Sequence, residues 1–171
     1  MLFQDCICFS LGKVSRQMSR VYRERLARYG LSQPQFFLLI ALYEEDNILI
    51  TRLAEKVALD KSTLTGILDR LERDGLITRQ AAPDDRRALY ICLTERSRSL
   101  RDDLTSIYND TNQQFLARLT DHERKVFDNI LEKLNPASDT KKDKPVKNQI
   151  LAKNGMAKQK TPAARRGKAE E

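Results

Sequence analysis

Residues 51–93, TRLAEKVALDKSTLTGILDRLERDGLITRQAAPDDRRALYICL, decide the fold. Thr51 to Val57 and Lys61 to Asp74 space their apolar residues as two short amphipathic helices, joined by the tight segment Ala58-Leu59-Asp60. Asp60 is a good N-cap for the second helix, and Gly75 is its stop. LITRQ and LYICL then read as two strands flanking the polar tip AAPDDRRA, where Pro83 and the acidic pair after it break any helix. Helix, tight turn, helix and hairpin in that order predict a winged helix-turn-helix.

The second of these helices carries the chemistry. A helix that enters the major groove of DNA presents short hydrogen-bonding side chains at its N-terminal end. Here that end reads DKSTLTG, which puts Lys61, Ser62, Thr63 and Thr65 in the first two turns. Hydroxyls exchange hydrogen bonds with base edges, and a threonine methyl packs on a thymine methyl. Arg70 further along, and Arg52 on the preceding helix, are placed for phosphates. Leu64, Ile67, Leu68 and Leu71 form the buried face. At the hairpin tip, Arg86 and Arg87 suit the minor groove, whose concentrated negative potential favours arginine. The bland alternatives are ordinary helix capping and an ordinary charged turn.

Outward from this core, a first helix is expected from about Asp5 to Tyr29, with Asp5 as its cap. Its apolar positions Ile7, Leu11, Val14, Met18 and Val21 form a seam suited to packing along another helix. Gly30 ends it. Ser32 and Gln35 form a capping box for the next helix, with Leu31 and Phe36 as its staple. The run FFLLIALY is apolar all round, so that helix should be central and buried. Beyond the hairpin, Thr94 caps one long helix to about Leu116, and Thr120 with Glu123 opens a last helix bearing Phe127, Ile130, Leu131 and Leu134. The class is mainly α (α+β). Residues 1–30 and 94–135 are expected to form dimerisation helices around a DNA-binding lobe at 31–93. Residues 136–171, with Pro145, Pro162, many lysines and no aromatic side chain, are expected to be a basic disordered tail.

Charge is informative once divided. The chain of 171 residues carries a net +7. Residues 1–134 hold 21 basic and 20 acidic side chains, whereas residues 135–171 hold 10 and 4. The excess therefore belongs to the tail, and a DNA-binding case must rest on local placement. An enzyme would need clustered catalytic groups, but the chain has one histidine, no glycine-rich phosphate loop and no paired metal-ligand motif. No cofactor or metal is expected. No apolar run approaches the roughly 18 residues that cross a bilayer. The N-terminus lacks the basic leader and small-residue cleavage site of a signal peptide. Three cysteines are too few for a disulfide scaffold, so a cytoplasmic location is expected.

LAEKVALDKSTLTGILDRLERDGLITR followed by PDDRRALYICLT resembles the MarR (multiple antibiotic resistance regulator) family, over about residues 5–134. The DRR wing followed by LT is the most specific part, and Ser97 stands where the family often has glycine. The resemblance implies a homodimer joined through its first and last helices, with the wing hairpin touching the minor groove. Two reading helices related by a two-fold axis are then expected to read a near-palindromic double-stranded operator, and the expected role is that of a repressor. The resemblance also implies control by a small-molecule effector or an oxidant acting between the dimer region and the reading lobe. The segment CICFSL is further similar to the organic-hydroperoxide sensors (OhrR-like proteins). That comparison places Cys8 on their reactive cysteine and Tyr22 on one tyrosine that steadies it. Gly12 and Gln33 stand where that branch has tyrosines.

Cys8 falls in the first turn of its helix if Asp5 is the cap, where the positive end of the helix favours thiolate. Cys6 is a candidate resolving thiol, but two residues apart on a regular helix the two point about 200° apart. A partner from the other subunit or a frayed helix start therefore fits better. The alternative for Cys8 is a small apolar residue at an interface. Cys92 reads as core. A competing class is a winged-helix protein-interaction adaptor that does not read DNA, favoured by Asp69 and Asp74 on or beside the recognition helix.

Overall fold

A computed structural model describes residues 5–81 and 88–134. The chain divides into two compact units, one ending at Arg124 and the other starting at Lys125. The expectations for the wing tip, including Arg86 and Arg87, and for the basic tail lie outside the described residues.

Helix α1 (Ile7–Leu26) begins one residue later than expected. Cys6, not Asp5, is its N-cap, in an extended conformation and without a side-chain cap hydrogen bond. The N-cap position therefore falls one residue later than read from the sequence, and Cys8 stays in the first turn. A 3-10 turn at Ala27–Tyr29 tightens its end, and Gly30 closes it at φ 65°, a left-handed conformation that costs glycine little. The α1 seam changes character along its length. Ile7, Leu11 and Val14 are exposed, Met18 and Val21 are half-buried, and Tyr22 and Leu26 enter the core.

Helix α2 (Gln33–Glu44) starts with the expected reciprocal capping box between Ser32 and Gln35. Leu31 and Phe36 are both buried. The helix is central, touching α1, α3, α4 and α6. It is not buried all round, however: Phe37 is 40% exposed, with its ring set edge-on to Tyr22 at 5.2 Å. Strand β1 (Ile48–Leu49) leads directly into α3 (Ile50–Val57). Ala58 follows at φ 51°, then Leu59 and the cap Asp60 open α4 (Lys61–Arg73). Leu64, Ile67, Leu68 and Leu71 of α4 face the core as expected.

The hairpin strands β2 (Ile77–Ala81) and β3 (Leu89–Leu93) pair antiparallel from Ile77 opposite Leu93 to Ala81 opposite Leu89. The sheet has three strands, not two, because β1 joins the other edge of β3 with Ile48 opposite Ile91. Asp46 anchors this third strand. Its Oδ1 accepts the Leu93 and Asn47 main-chain N–H groups, each at 2.8 Å, and its Oδ2 accepts from Arg98 at 2.9 Å. Cys92 is buried, as its strand position implied, and its thiol donates to Asn47 Oδ1 at 3.2 Å.

Thr94 caps the following helix as expected, but the helix is broken at Leu100 into α5 (Glu95–Ser99) and α6 (Arg101–Leu116). The Ser97 carbonyl, which a regular α-helix would offer to the N–H of residue 101, instead accepts the Tyr43 hydroxyl at 2.6 Å and the Leu100 N–H at 3.2 Å. The Ser97 and Ser99 hydroxyls bond back to Thr94 and Arg96 carbonyls, which also bends a helix. The α6 stem is locked to α1 by Arg25, which donates to Thr111 at 2.8 Å and Gln114 at 2.7 Å.

Helix α7 (Asp121–Leu134) opens with the expected capping box, Glu123 accepting the Thr120 N–H at 2.8 Å. Within the second unit, its Val126, Phe127, Ile130, Leu131 and Leu134 are all exposed. Among the described residues no helix is long and apolar enough to cross a membrane.

Candidate nucleic-acid interface

The start of α4 is organised by Asp60. Its Oδ1 accepts the Thr63 N–H at 2.9 Å and the Ser62 hydroxyl at 2.6 Å, while its Oδ2 accepts the Thr63 hydroxyl at 2.6 Å. The Ser62 hydroxyl first, then the Thr63 hydroxyl and N–H, hold this carboxyl far below the ordinary carboxylate range. It is therefore ionised and only accepts. One turn on, the Thr65 hydroxyl donates to the Lys61 carbonyl at 2.7 Å. Each of these three hydroxyls has its one proton committed, so each offers lone pairs to whatever lies above the helix.

Lys61, Ser62, Thr63 and Arg70 are exposed and Thr65 is half-buried. With Leu64, Ile67, Leu68 and Leu71 turned to the core, Ser62 points outward, Lys61 and Thr65 lie on one flank of the exposed face and Thr63 and Arg70 on the other. Arg73, which the sequence reading passed over, is also exposed on this helix. Its presence was legible from helical spacing, since it lies three positions after Arg70. Arg52 is on α3 as expected, but it is paired with Glu45 at 3.0 Å, and Lys56 beside it is paired with Glu44 at 3.1 Å. A phosphate would compete with Glu45 for Arg52.

The two acids that favoured an adaptor are both engaged. Asp69 accepts from Arg79 of β2 at 2.7 Å. Asp74 accepts from Gln35 at 3.2 Å and lies 3.5 Å from Arg73.

Where the α1–α2 turn meets the end of α4 and the start of α5 lies an open pocket of about 260 Å³. Tyr29, Leu31, Leu76 and Leu100 supply its apolar walls, and Asp74 and Arg96 its charges. Arg96 donates to the Asp74 carbonyl at 2.8 Å. The Tyr29 hydroxyl donates to Asp103 at 2.9 Å, which holds the ring at the pocket edge.

The cysteine set does not assemble within one chain. Cys6 and Cys8 are exposed free thiols. Tyr22 lies fourteen positions after Cys8 on the same helix, about 21 Å along its axis. Its ring is 2% exposed and packs on Phe36 at 5.3 Å. Burial, reinforced by Tyr108, pushes its phenol up to about 12. Among the described residues no cluster of three or more histidine, cysteine or acidic side chains is placed to hold a metal.

The sequence profile of the MarR family matches residues 31–89. The HTH-type transcriptional regulator MgrA of Staphylococcus aureus is 31% identical over 142 residues, which is 82% of this chain and 95% of that protein. The organic hydroperoxide resistance transcriptional regulator of Bacillus subtilis is 34% identical over 107 residues, 63% of this chain and 73% of that one. Among solved structures, a probable transcriptional regulator from Pseudomonas aeruginosa superposes with a TM-score of 0.72 at 28% identity, covering 78% of this chain and all of that one. Reduced AbfR bound to DNA superposes with a TM-score of 0.66 at 27% identity, covering 75% of this chain and 89% of the other. With the winged helix-turn-helix and its DRR-LT sequence in place, these similarities make the chain a member of the MarR family.

Proposed function

We propose that this protein is a homodimeric, sequence-specific, double-stranded DNA-binding transcriptional regulator, a cytoplasmic repressor and not an enzyme. The observation that carries the reading is the outward face of α4, where Ser62, Thr63 and Thr65 stand as oriented hydroxyls with Lys61 and Arg70 beside them. In this reading α4 lies in the major groove, and Arg52 leaves Glu45 for a phosphate. Arg86 and Arg87 at the wing tip serve the minor groove. A second copy covers the exposed Ile7, Leu11 and Val14 of α1, and α7 buries its own apolar stripe in the dimer. AbfR, solved bound to DNA, lends support through its likeness of fold and sequence.

The signal is either a small molecule or an oxidant. The pocket edged by Tyr29 and Arg96 joins the end of α1 to the end of α4, so a small amphipathic effector seated there would act on the setting of the reading helix. Cys8 is the candidate for oxidation, with Cys6 as its resolving thiol.

The test is selection of bound fragments from random-sequence duplex DNA by the full chain, followed by footprinting. The expected product is a near-palindrome with half-site centres about 34 Å apart, bound by a dimer. A chain that enriches no motif and loses its DNA to nonspecific competitor would instead be an adaptor.

A further inference from the structure

The outward face of α4 carries an electrostatic problem. The helix holds three cations, Lys61, Arg70 and Arg73, against two anions, Asp69 and Glu72. Asp69 lies two helical turns after Ser62, on the same side of the helix, and its side chain is 58% exposed. A carboxylate on that face would meet the field of a polyanion, and like charges set against each other oppose association.

The remedy comes from the wing. Strand alternation sends Arg79 to the same face of β2 as Ile77, whose side chain is buried. From there its guanidinium forks onto both acids. One nitrogen donates to Glu72 Oε2 at 2.7 Å, another to Asp69 Oδ1 at 2.7 Å, and the Arg79 main-chain N–H donates to Glu72 Oε1 at 3.2 Å. Only 20% of the Arg79 side chain is exposed, so it is spent on α4 and not offered to solvent. A lysine would be a poor substitute, because a point charge cannot hold two carboxylates in one planar fork.

We propose that Arg79 is a positioning residue for DNA binding. It masks Asp69 and Glu72, so that α4 presents a cationic and hydroxyl face although Arg79 itself touches no nucleic acid. The proposal rests on the DNA-reading assignment made above.

The experiment measures binding of the selected duplex by the full chain across a salt series. It compares the parent, Arg79→Gln, the double variant Asp69→Asn/Glu72→Gln, and the triple variant combining all three changes. Arg79→Gln should lose on the order of tenfold in affinity at low salt, with a shallower salt dependence, because an uncompensated anionic pair now faces the phosphates. The triple variant should regain most of that loss, a recovery that a purely structural role for the fork would not give. The double variant, with Arg79 unmasked, should bind at least as tightly as the parent and with a steeper salt slope. It also keeps the question open to test if Arg79→Gln fails to fold. Parental affinity in Arg79→Gln, no recovery in the triple variant, or weakened binding in the double variant would each overturn the proposal. A parent that enriches no DNA would instead remove the reading on which it rests.

Discussion

The Thr63 hydroxyl donates to Asp60 Oδ2 at 2.6 Å, and the Ser62 hydroxyl donates to the other oxygen of the same carboxylate at 2.6 Å. The residue that starts α4 therefore also sets the hydrogen-bond polarity of its first turn. Held this way, the hydroxyls accept, and the base edges that suit them are the amino groups of adenine and cytosine. Ser62→Ala and Thr65→Ala should each lose about 1–3 kcal/mol of discrimination at particular base pairs and leave nonspecific binding nearly unchanged. Binding measured on a panel of single-base operator variants checks this. A uniform loss across the panel would mean that these hydroxyls only cap.

Asp46 predicts an acid sensitivity. Burial, the largest single influence, raises its pKa, but the Leu93 N–H, the Arg98 guanidinium and the Asn47 N–H together outweigh burial and leave it lowered. A carboxyl depressed in the folded state contributes stability above the ordinary carboxylate pKa and loses it as pH falls through the folded value. The parent should therefore melt above Asp46→Asn at neutral pH, and the gap should close as pH falls below the ordinary carboxylate range. Thermal melts from pH 7 to pH 3 read it directly.

Ala58 predicts a gain. It ends α3 at φ 51°, where its Cβ crowds the backbone and glycine would not. Ala58→Gly should raise stability by about 0.5–1 kcal/mol, the reverse of placing alanine at a left-handed site. That corresponds to about 1–4 °C in the thermal midpoint for a chain of this size. An unchanged or lower midpoint would show that the extra freedom of glycine in the unfolded chain cancels the relief.

Local devices were legible in the sequence, and devices that depend on distant partners were not. The Ser32–Gln35 box, the Thr94 and Asp60 caps and the Gly30 stop involve residues within a few positions of each other. Strand β1 escaped because two residues show no alternation, and its identity comes from Ile91 on a distant strand. The break at Leu100 escaped because it needs the Tyr43 hydroxyl from α2. In the site, the exposed positions of α4 followed from helical spacing. The pairing of Arg52 with Glu45 and the fork of Arg79 depend on neighbouring elements that spacing cannot supply.

The thiols at the start of α1 predict a response to oxidant. Cys6 is the N-cap in an extended conformation and Cys8 lies in the first helical turn, so the two do not sit on one regular helix. Both are exposed, and α1 runs from them through the exposed Leu11 and Val14 to the core residues Tyr22 and Leu26. Peroxide should convert Cys8 to a sulfenic acid, which a second thiol then condenses to a disulfide. The second thiol is Cys6, reached through a frayed helix start, or a thiol of the other subunit. Either product alters the end of α1 that a second subunit is proposed to cover. The spacing of the two reading lobes should shift, and operator affinity should fall about 5–150-fold, the usual range of such coupling. Operator binding before and after mild peroxide, in the parent and in Cys8→Ser, decides the matter. Release that is lost in Cys8→Ser and reversed by reductant supports the switch. A parent that stays bound after oxidation leaves Cys8 as a packing residue and turns the search to the pocket beside Tyr29.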